Sequence, residues 1–289
     1  MKKVLLLTNF SSASRNALQF ARSFFGDTVT DFHLLYPHSA APDGIRPPGY
    51  VAETTRIAYA NQLHEVVHGL RTEALTDWHT FRSSGKAGQP YDIVEQSVGA
   101  EVYDFVVIGP SEDETDIVFG NSAIALIRQL KANVLVVPAN AHAKPVQQIV
   151  LAIDFASLTN YKLLDPVKEL VLQKSALLTL LTIDTPDKKI IHVEQEALIR
   201  QYLHPIDPTI AHIQAPTAKA GIDDFLSGHS VDLLVTIPKY QSRPRPSASN
   251  SHIRAQAYSP AVPLLTIFNN NSNEHAEQIE DLSNLDFAL

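Results

Sequence analysis

One pattern occurs twice in this chain. Lys3-Val4-Leu5-Leu6-Leu7-Thr8-Asn9-Phe10-Ser11-Ser12 aligns with Gln148-Ile149-Val150-Leu151-Ala152-Ile153-Asp154-Phe155-Ala156-Ser157. Each copy is an apolar run, a polar Asn or Asp, a Phe and then small polar residues. Later segments repeat in the same order. Asp104-Phe105-Val106-Val107-Ile108 matches Asp232-Leu233-Leu234-Val235-Thr236, and Val134-Leu135-Val136-Val137 matches Leu264-Leu265-Thr266-Ile267. A repeat of this length constrains the fold more than any other feature, because each copy must close its own core on the same plan. The chain divides into two units, 1–140 and 146–268, joined through the short stretch Ala139 to Pro145, with a polar, acidic tail over 269–289.

Strands alternate with helices inside each unit. In the first, strands are predicted near 3–8, 30–36, 78–83, 104–109 and 133–138, and helices near 13–25, 51–75, 90–101 and 120–131. Unbroken Val/Leu/Ile runs such as 105–108 suit strands covered on both faces, as in a parallel sheet. Ile57, Ala60, Leu63, Val67, Leu70 and Ala74 recur at three- and four-residue spacing, which predicts one buried stripe on the longest helix. Pro37 to Tyr50 is predicted as a surface loop. The second unit repeats the plan, with strands near 148–153, 177–183, 209–214, 232–237 and 264–268. The fold class is α/β, with two tandem Rossmann-like units, each a five-stranded, mainly parallel sheet with helices on both faces. Such sheets bind ligands beyond the carboxyl ends of their strands, where the strand order reverses.

Composition removes several classes of function. The chain has 289 residues and no Cys, so a thiol nucleophile, a thiolate zinc site and an iron–sulfur cluster are excluded. With 23 Lys+Arg against 31 Asp+Glu, the net charge of −8 gives no global pull toward nucleic acid or an anionic membrane. The apolar run Val4–Leu7 is too short for a secretory or spanning segment, so a cytoplasmic location is expected.

With the first strands, the fourth strands and the apolar fifth strands in view, both halves resemble the universal stress protein family, and their order resembles its tandem subgroup. The resemblance implies a stress-response or regulatory protein. Its nucleotide-binding members carry G-x2-G-x9-G-[ST] after the fourth strand, where glycines let backbone approach phosphates and a helix N-terminus offers free N–H groups. For those members the implied cofactor is ATP or AMP. The family's aspartate near the adenosine, at the end of the first strand, falls on Asn9 and Asp154.

Both halves depart from that motif. In the first, Gly109 and Gly120 hold the outer glycine positions, Glu112 replaces the middle one, the loop is two residues shorter, and Asn121 with Ser122 stands where Ser/Thr belongs. Ser111 to Asp116 carries four carboxylates, which oppose a triphosphate. Their spacing does not suit a calcium loop. In the second half, Ile237, Tyr240 and Asn250 occupy the three glycine positions at the family's spacing, while Asp154 and Ser251 keep the family's residue types. That loop holds Lys239, Arg243 and Arg245. A helix start at Asn250 and Ser251 beneath these basic groups can form an anion site without glycines. The candidate ligand set is Asp154, Ile183, Lys239, Arg243, Arg245, Asn250 and Ser251. An empty, solvated loop is the competing reading, and Asp154 could instead cap the turn into a helix beginning near Ser157.

His64-Glu65-Val66-Val67-His68 spells H-E-x-x-H, the zincin signature, which places two histidines on one helix face. No third ligand follows at the spacing of the longer zincin motif. The two rings are expected to flank the buried stripe as boundary residues, and a zinc hydrolase is the remote alternative. No catalytic motif is otherwise present. Two functional readings compete. In one, degenerate nucleotide motifs leave a protein that works mainly by association, with weak anion or nucleotide binding in the second half. In the other, the chain is an ATP- or AMP-binding regulator. The apolar fifth strands, exposed as edges, predict a homodimer or an intramolecular pseudo-dimer formed through them.

Overall fold

The computed structural model describes residues 1–38, 49–73, 78–110, 130–155, 158, 160–186, 193–237 and 262–268, without the side chains of 49–56 and 193. Two compact units emerge, Met1–Leu126 with Ala132–Pro145, and Ile127–Lys131 with Val146–Leu289. In the first unit, β1 (Lys2–Leu7), α1 (Ser12–Phe24), β2 (Thr30–His38), α2 (Gly49–Glu73), β3 (His79–Ala87), α3 (Pro90–Ala100), β4 (Phe105–Ile108) and β5 (Asn133–Val136) follow one another. The second unit comprises β6 (Gln148–Ala152), a 3-10 turn (Tyr161–Leu164), α4 (Asp165–Lys174), β7 (Leu177–Asp184), α5 (Val193–Leu203), β8 (Thr209–Gln214), α6 (Ala218–Gly228), β9 (Leu233–Thr236) and β10 (Leu264–Thr266). Residues 120–129 of the helix expected over 120–131 and the tail lie outside the described residues, and 130–131 are not helical.

Within the first unit the strand order is β3-β2-β1-β4-β5, and within the second it is β8-β7-β6-β9-β10. All the strand pairs just implied are parallel. The order reverses between β1 and β4, and again between β6 and β9. Val4 to Leu7, Phe105 to Ile108 and Leu233 to Thr236 are buried without a break. Successive strand residues point to opposite faces, so unbroken burial means that both faces of these central strands are covered. The mainly parallel α/β fold read from the apolar runs is the fold observed.

The repeat also reuses one polar device. Asp104, just before β4, accepts a hydrogen bond from the Lys3 backbone N–H at 2.7 Å and returns one from its own N–H to the Lys3 carbonyl. Asp232, just before β9, accepts from the Gln147 and Gln148 N–H groups, each at 2.9 Å, and its N–H bonds the Gln148 carbonyl. Lys3 and Gln148 are aligned positions, so each aspartate sets the register of the first and fourth strands of its unit. Asp232 is buried, and its removal would orphan two backbone donors. Asp232→Ala is expected to cost about 1–2 kcal/mol, with Asp232→Asn recovering part, as denaturant titration of the full chain would record.

Two local expectations are corrected. Pro37 and His38 continue β2 rather than opening a loop, and β3 lengthens to match them through the pairs Pro37↔Lys86 and His38↔Ala87. β1 ends opposite Leu35, so beyond that point β2 has a neighbour on one side only, where proline's missing N–H breaks no ladder bond. Residues 39–48 of that predicted loop lie outside the described residues. On α2 the buried stripe is shorter than the spacing implied. Leu63, Val67 and Leu70 are buried, whereas Ile57 is 48% exposed and Ala60 is also exposed. α2 packs on β3, where the Leu63 side chain lies under Gly85, and only the part of the helix over that strand is covered. Among the described residues no helix is long and apolar enough to cross a membrane.

Candidate functional site

In the first unit the register brings Asn9 and Gly109 together at the carboxyl ends of β1 and β4, since Leu6 lies opposite Val107. Both residues are built into the scaffold there. The Asn9 side-chain oxygen accepts from the Ser11 N–H at 3.1 Å, and Ser11 in turn caps α1 by accepting from the Ser14 N–H at 3.2 Å. The Thr8 hydroxyl accepts from the Phe10 N–H and lies 3.3 Å from the Ser14 hydroxyl. Gly109 has no room for a side chain: a Cβ there would sit 2.3 Å from the Ala13 carbonyl oxygen and 3.0 Å from the Ala17 methyl. The missing side chain therefore admits the first turn of α1 against the end of β4. Glu112, Gly120, Asn121 and Ser122 lie outside the described residues.

Aromatic rings gather at the same strand ends. Phe10 holds a positive φ of 63°, unusual for a bulky residue, and its ring lies 4.8 Å from Tyr36 and 6.5 Å from Tyr59. Tyr36 also meets Tyr59 at 4.7 Å and His38 at 5.4 Å. Burial, and then the Tyr59 hydroxyl, push the Tyr36 phenol well above its ordinary value, so it stays neutral. Such a surface can stack against a planar group. The sequence signal was the aromatic content after β1 and β2, which alignment with a glycine motif passes over.

In the second unit Asp154, Ile183 and Ile237 meet at the carboxyl ends of β6, β7 and β9. Ala152 pairs with Leu181 and with Thr236, which sets Asp154 level with Ile183 and puts Ile237 one step below. Ile183 has a packing contact of its own. Its side chain fills the space above Gly221, where an added Cβ would lie 2.7 Å away. Asp154 is half-buried. Phe155, directly after it, stands in a 3-10 turn, and the later run from Tyr161 is capped by Asn160, which accepts from the Lys162 N–H at 3.0 Å; the cap expected of Asp154 near Ser157 falls outside the described residues. Ser157, Lys239, Tyr240, Arg243, Arg245, Asn250 and Ser251 lie outside the described residues.

Thr236 is a feature that the repeat alignment did not single out. The register equates it with Ile108 of the first unit, and its ladder partner Thr266 with Val136. Thr236 is 1% exposed, and its hydroxyl has no hydrogen-bond partner among the described residues. A buried hydroxyl without a partner costs free energy, so the carboxyl end of β9 is more polar than its packing alone requires. The sequence did carry the signal, as Thr replaces Ile in an otherwise apolar fourth strand.

A second polar constellation lies inside the first unit. His33 on β2 is buried, with Nδ1 2.6 Å from the Tyr103 hydroxyl and Nε2 2.7 Å from the Ser84 hydroxyl. Tyr103 donates to Glu101 at 3.0 Å, so its oxygen accepts from Nδ1–H and the Ser84 hydroxyl donates to Nε2. Arg82 binds Asp31 at 3.1 Å and Glu101 at 2.7 Å, and Lys3 adds a bond to Glu101 at 3.0 Å. Burial first, then the Arg82 charge, lower the His33 pKa from 6.5 to about 4. Glu101 is lowered to about 2, because hydrogen bonds from Arg82, Lys3 and Tyr103 outweigh the opposing effect of burial. This network braces strands and lies away from the carboxyl-end crevice.

The two histidines of H-E-x-x-H are exposed rather than at the boundary of the buried stripe. Their ring centroids are 6.4 Å apart. Helical period explains the correction, because Leu63, Val67 and Leu70 point at β3 and turn His64 and His68 outward. Among the described residues no group of three or more His, Asp or Glu side chains gathers as a metal cage.

Residues 1–138 match the model of the universal stress protein family. No curated protein matches the chain. Among solved structures, a universal stress protein from Archaeoglobus fulgidus is similar at a TM-score of 0.74 with 14% identity, over 92% of this chain and 97% of its own. A protein of unknown function from Pseudomonas aeruginosa PAO1 is similar at a TM-score of 0.58 with 15% identity, over 96% of each chain. These likenesses run over nearly the whole length and are likenesses of fold. The first half of the chain, residues 1–138, thus matches the universal stress protein family, and the fold of nearly the whole chain is shared with the tandem-length proteins just described.

Proposed function

We propose that this chain is a tandem universal stress protein that acts in stress response or regulation mainly by association with protein, in the cytoplasm, and that any nucleotide or anion it takes binds weakly and in the second half. The observation that carries this reading is the different use of equivalent positions. In the first unit Asn9 builds the turn into α1, Gly109 admits α1, and Ile108 is apolar. In the second, Asp154 stands at the first-strand end, and Thr236 brings to the fourth a buried hydroxyl that has no partner among the described residues. The loop beyond Ile237 adds Lys239, Arg243 and Arg245, where the first-half loop is acidic. The partner-binding part of the reading includes self-association through the fifth strands, Val134–Val137 and Leu264–Ile267.

The test is calorimetric titration of the full chain with ATP and with AMP. Binding is expected in the micromolar range or weaker, because Tyr240 replaces the glycine at which backbone would approach phosphate. It should weaken with added salt and weaken about tenfold or more in Arg243→Ala/Arg245→Ala, since charge-assisted contacts to an anion are removed. Binding that ignores salt and both arginines, or that is lost on changing Asn9 and Gly120 instead, would place the ligand in the first half and defeat the reading.

A further inference from the structure

H-E-x-x-H remains unexplained by the family and by the crevice. His64 and His68 lie one turn apart on the outer face of α2, a helix described from Gly49 to Glu73. Among the described residues neither ring is hydrogen-bonded through its nitrogens, and the neighbour of each ring is the other, with planes at 41°. All four ring nitrogens are thus available to an incoming ligand. We propose that His64 and His68 form a two-histidine surface site for a divalent late transition-metal ion, with Cu2+ held most tightly and Zn2+ less so.

The geometry needs little change. Side chains at i and i+4 stand about 5–6 Å apart at Cβ. A metal bound at about 2.0–2.1 Å from each imidazole nitrogen lies about 3.2 Å from each ring centre, so a tetrahedral Zn2+ pair has centroids about 5 Å apart and a cis square-planar Cu2+ pair about 4.5 Å apart. From 6.4 Å the rings need close by only about 1–2 Å, within the reach of exposed side-chain rotation. The neutral imidazole pair selects late transition metals over Mg2+ and Ca2+, which prefer several oxygen ligands, and the Irving–Williams order places Cu2+ ahead of Zn2+. With two protein ligands, water fills the remaining positions. The negative net charge of the chain favours cation approach.

The experiment is titration of the full chain with Cu2+ alone in a non-coordinating buffer, read by calorimetry and by nitrogen hyperfine coupling in electron paramagnetic resonance. The expected result is a site with two coordinated imidazoles, unaffected by a hundredfold excess of Mg2+. His64→Ala and His68→Ala should each weaken it at least tenfold and leave one coordinated imidazole. The decisive variant is His68→Ala/Gly69→His. It keeps the number of histidines but moves the second one off the shared face, and nothing lies within 4 Å of a Cβ at Gly69, so the fold should tolerate it. It should bind as weakly as His68→Ala. Equal affinity in the wild type and in this variant, or a two-imidazole signal that survives His64→Ala, would overturn the assignment, because other histidines would then be the ligands.

Discussion

Gly109→Ala is expected to cost the first unit about 3 kcal/mol or more, enough to abolish its cooperative transition at moderate denaturant. A Cβ at that position would lie 2.3 Å from the Ala13 carbonyl oxygen and 2.7 Å from its carbon. Both are backbone atoms inside a helix, so no rotamer change relieves the overlap. Either α1 or the end of β4 must move. Moving α1 strains the bonds that start it, Ser11 to Ser14 N–H and Asn9 to Ser11 N–H, and displaces Ala13, Ala17 and Ala21 from the core. Gly99→Ala is the control. Gly99 is exposed on α3 with nothing within 4 Å of an added Cβ, so alanine should be neutral or stabilise by up to about 1 kcal/mol. Urea titrations of the two variants should therefore diverge in opposite directions. Equal midpoints for Gly109→Ala and the wild type would mean that α1 slides freely over β4.

The same contact bears on the comparison of the two repeats. Ile237 occupies the position of Gly109 in the second unit. The glycine that a nucleotide motif would claim for phosphate thus has a packing role in this chain.

Much of the fold was legible because its strands are local, unbroken apolar runs. Val4–Leu7, Val106–Ile108 and Val134–Val137 are fully buried, and the pattern of each is complete within a few residues. The stripe on α2 was overread because period alone says which residues share a face, not how far the neighbouring strand extends beneath them. Ile57 lies on the shared face without cover. The site was less legible for a related reason. The bonds of His33 reach 70 residues to Tyr103 and 51 to Ser84, and no local pattern encodes them. Asp104 and Asp232 were visible as repeated letters, but their use as strand clamps depends on backbone N–H groups about a hundred residues away or slightly fewer. Asp154, Ile183 and Ile237 converge because of the strand order, which the repeat implied. The basic loop and helix start chosen for the anion fall outside the described residues.

Stability should fall as the pH drops from about 6.5 toward 4, and His33 should be the cause. Its pKa is about 4 in the folded chain against 6.5 for the free side chain. Between those values the unfolded chain holds a proton on this imidazole that the folded chain refuses. The unfolded state therefore binds more protons, and lowering the pH favours it. A full shift of that size bounds the loss at about 3 kcal/mol, less where solvent screens the surrounding charges. The groups facing the imidazole agree with the sign, since Arg82 and Lys86 oppose a second positive charge more strongly than Glu101 and Asp31 support it. Glu101 does not confuse the window. Its carboxyl is lowered to about 2, so its contribution is present above about 4.5 and is lost only as the pH falls through the range below. His33→Gln keeps an amide that can bond either hydroxyl but cannot take up the proton. Melting the wild type and His33→Gln at pH 7 and pH 4.5 should show a marked loss for the first and a much smaller one for the second. If His33→Gln keeps the full slope, another group carries the acid sensitivity; if the wild type shows none, the imidazole is solvated well enough in the folded chain to accept its proton there.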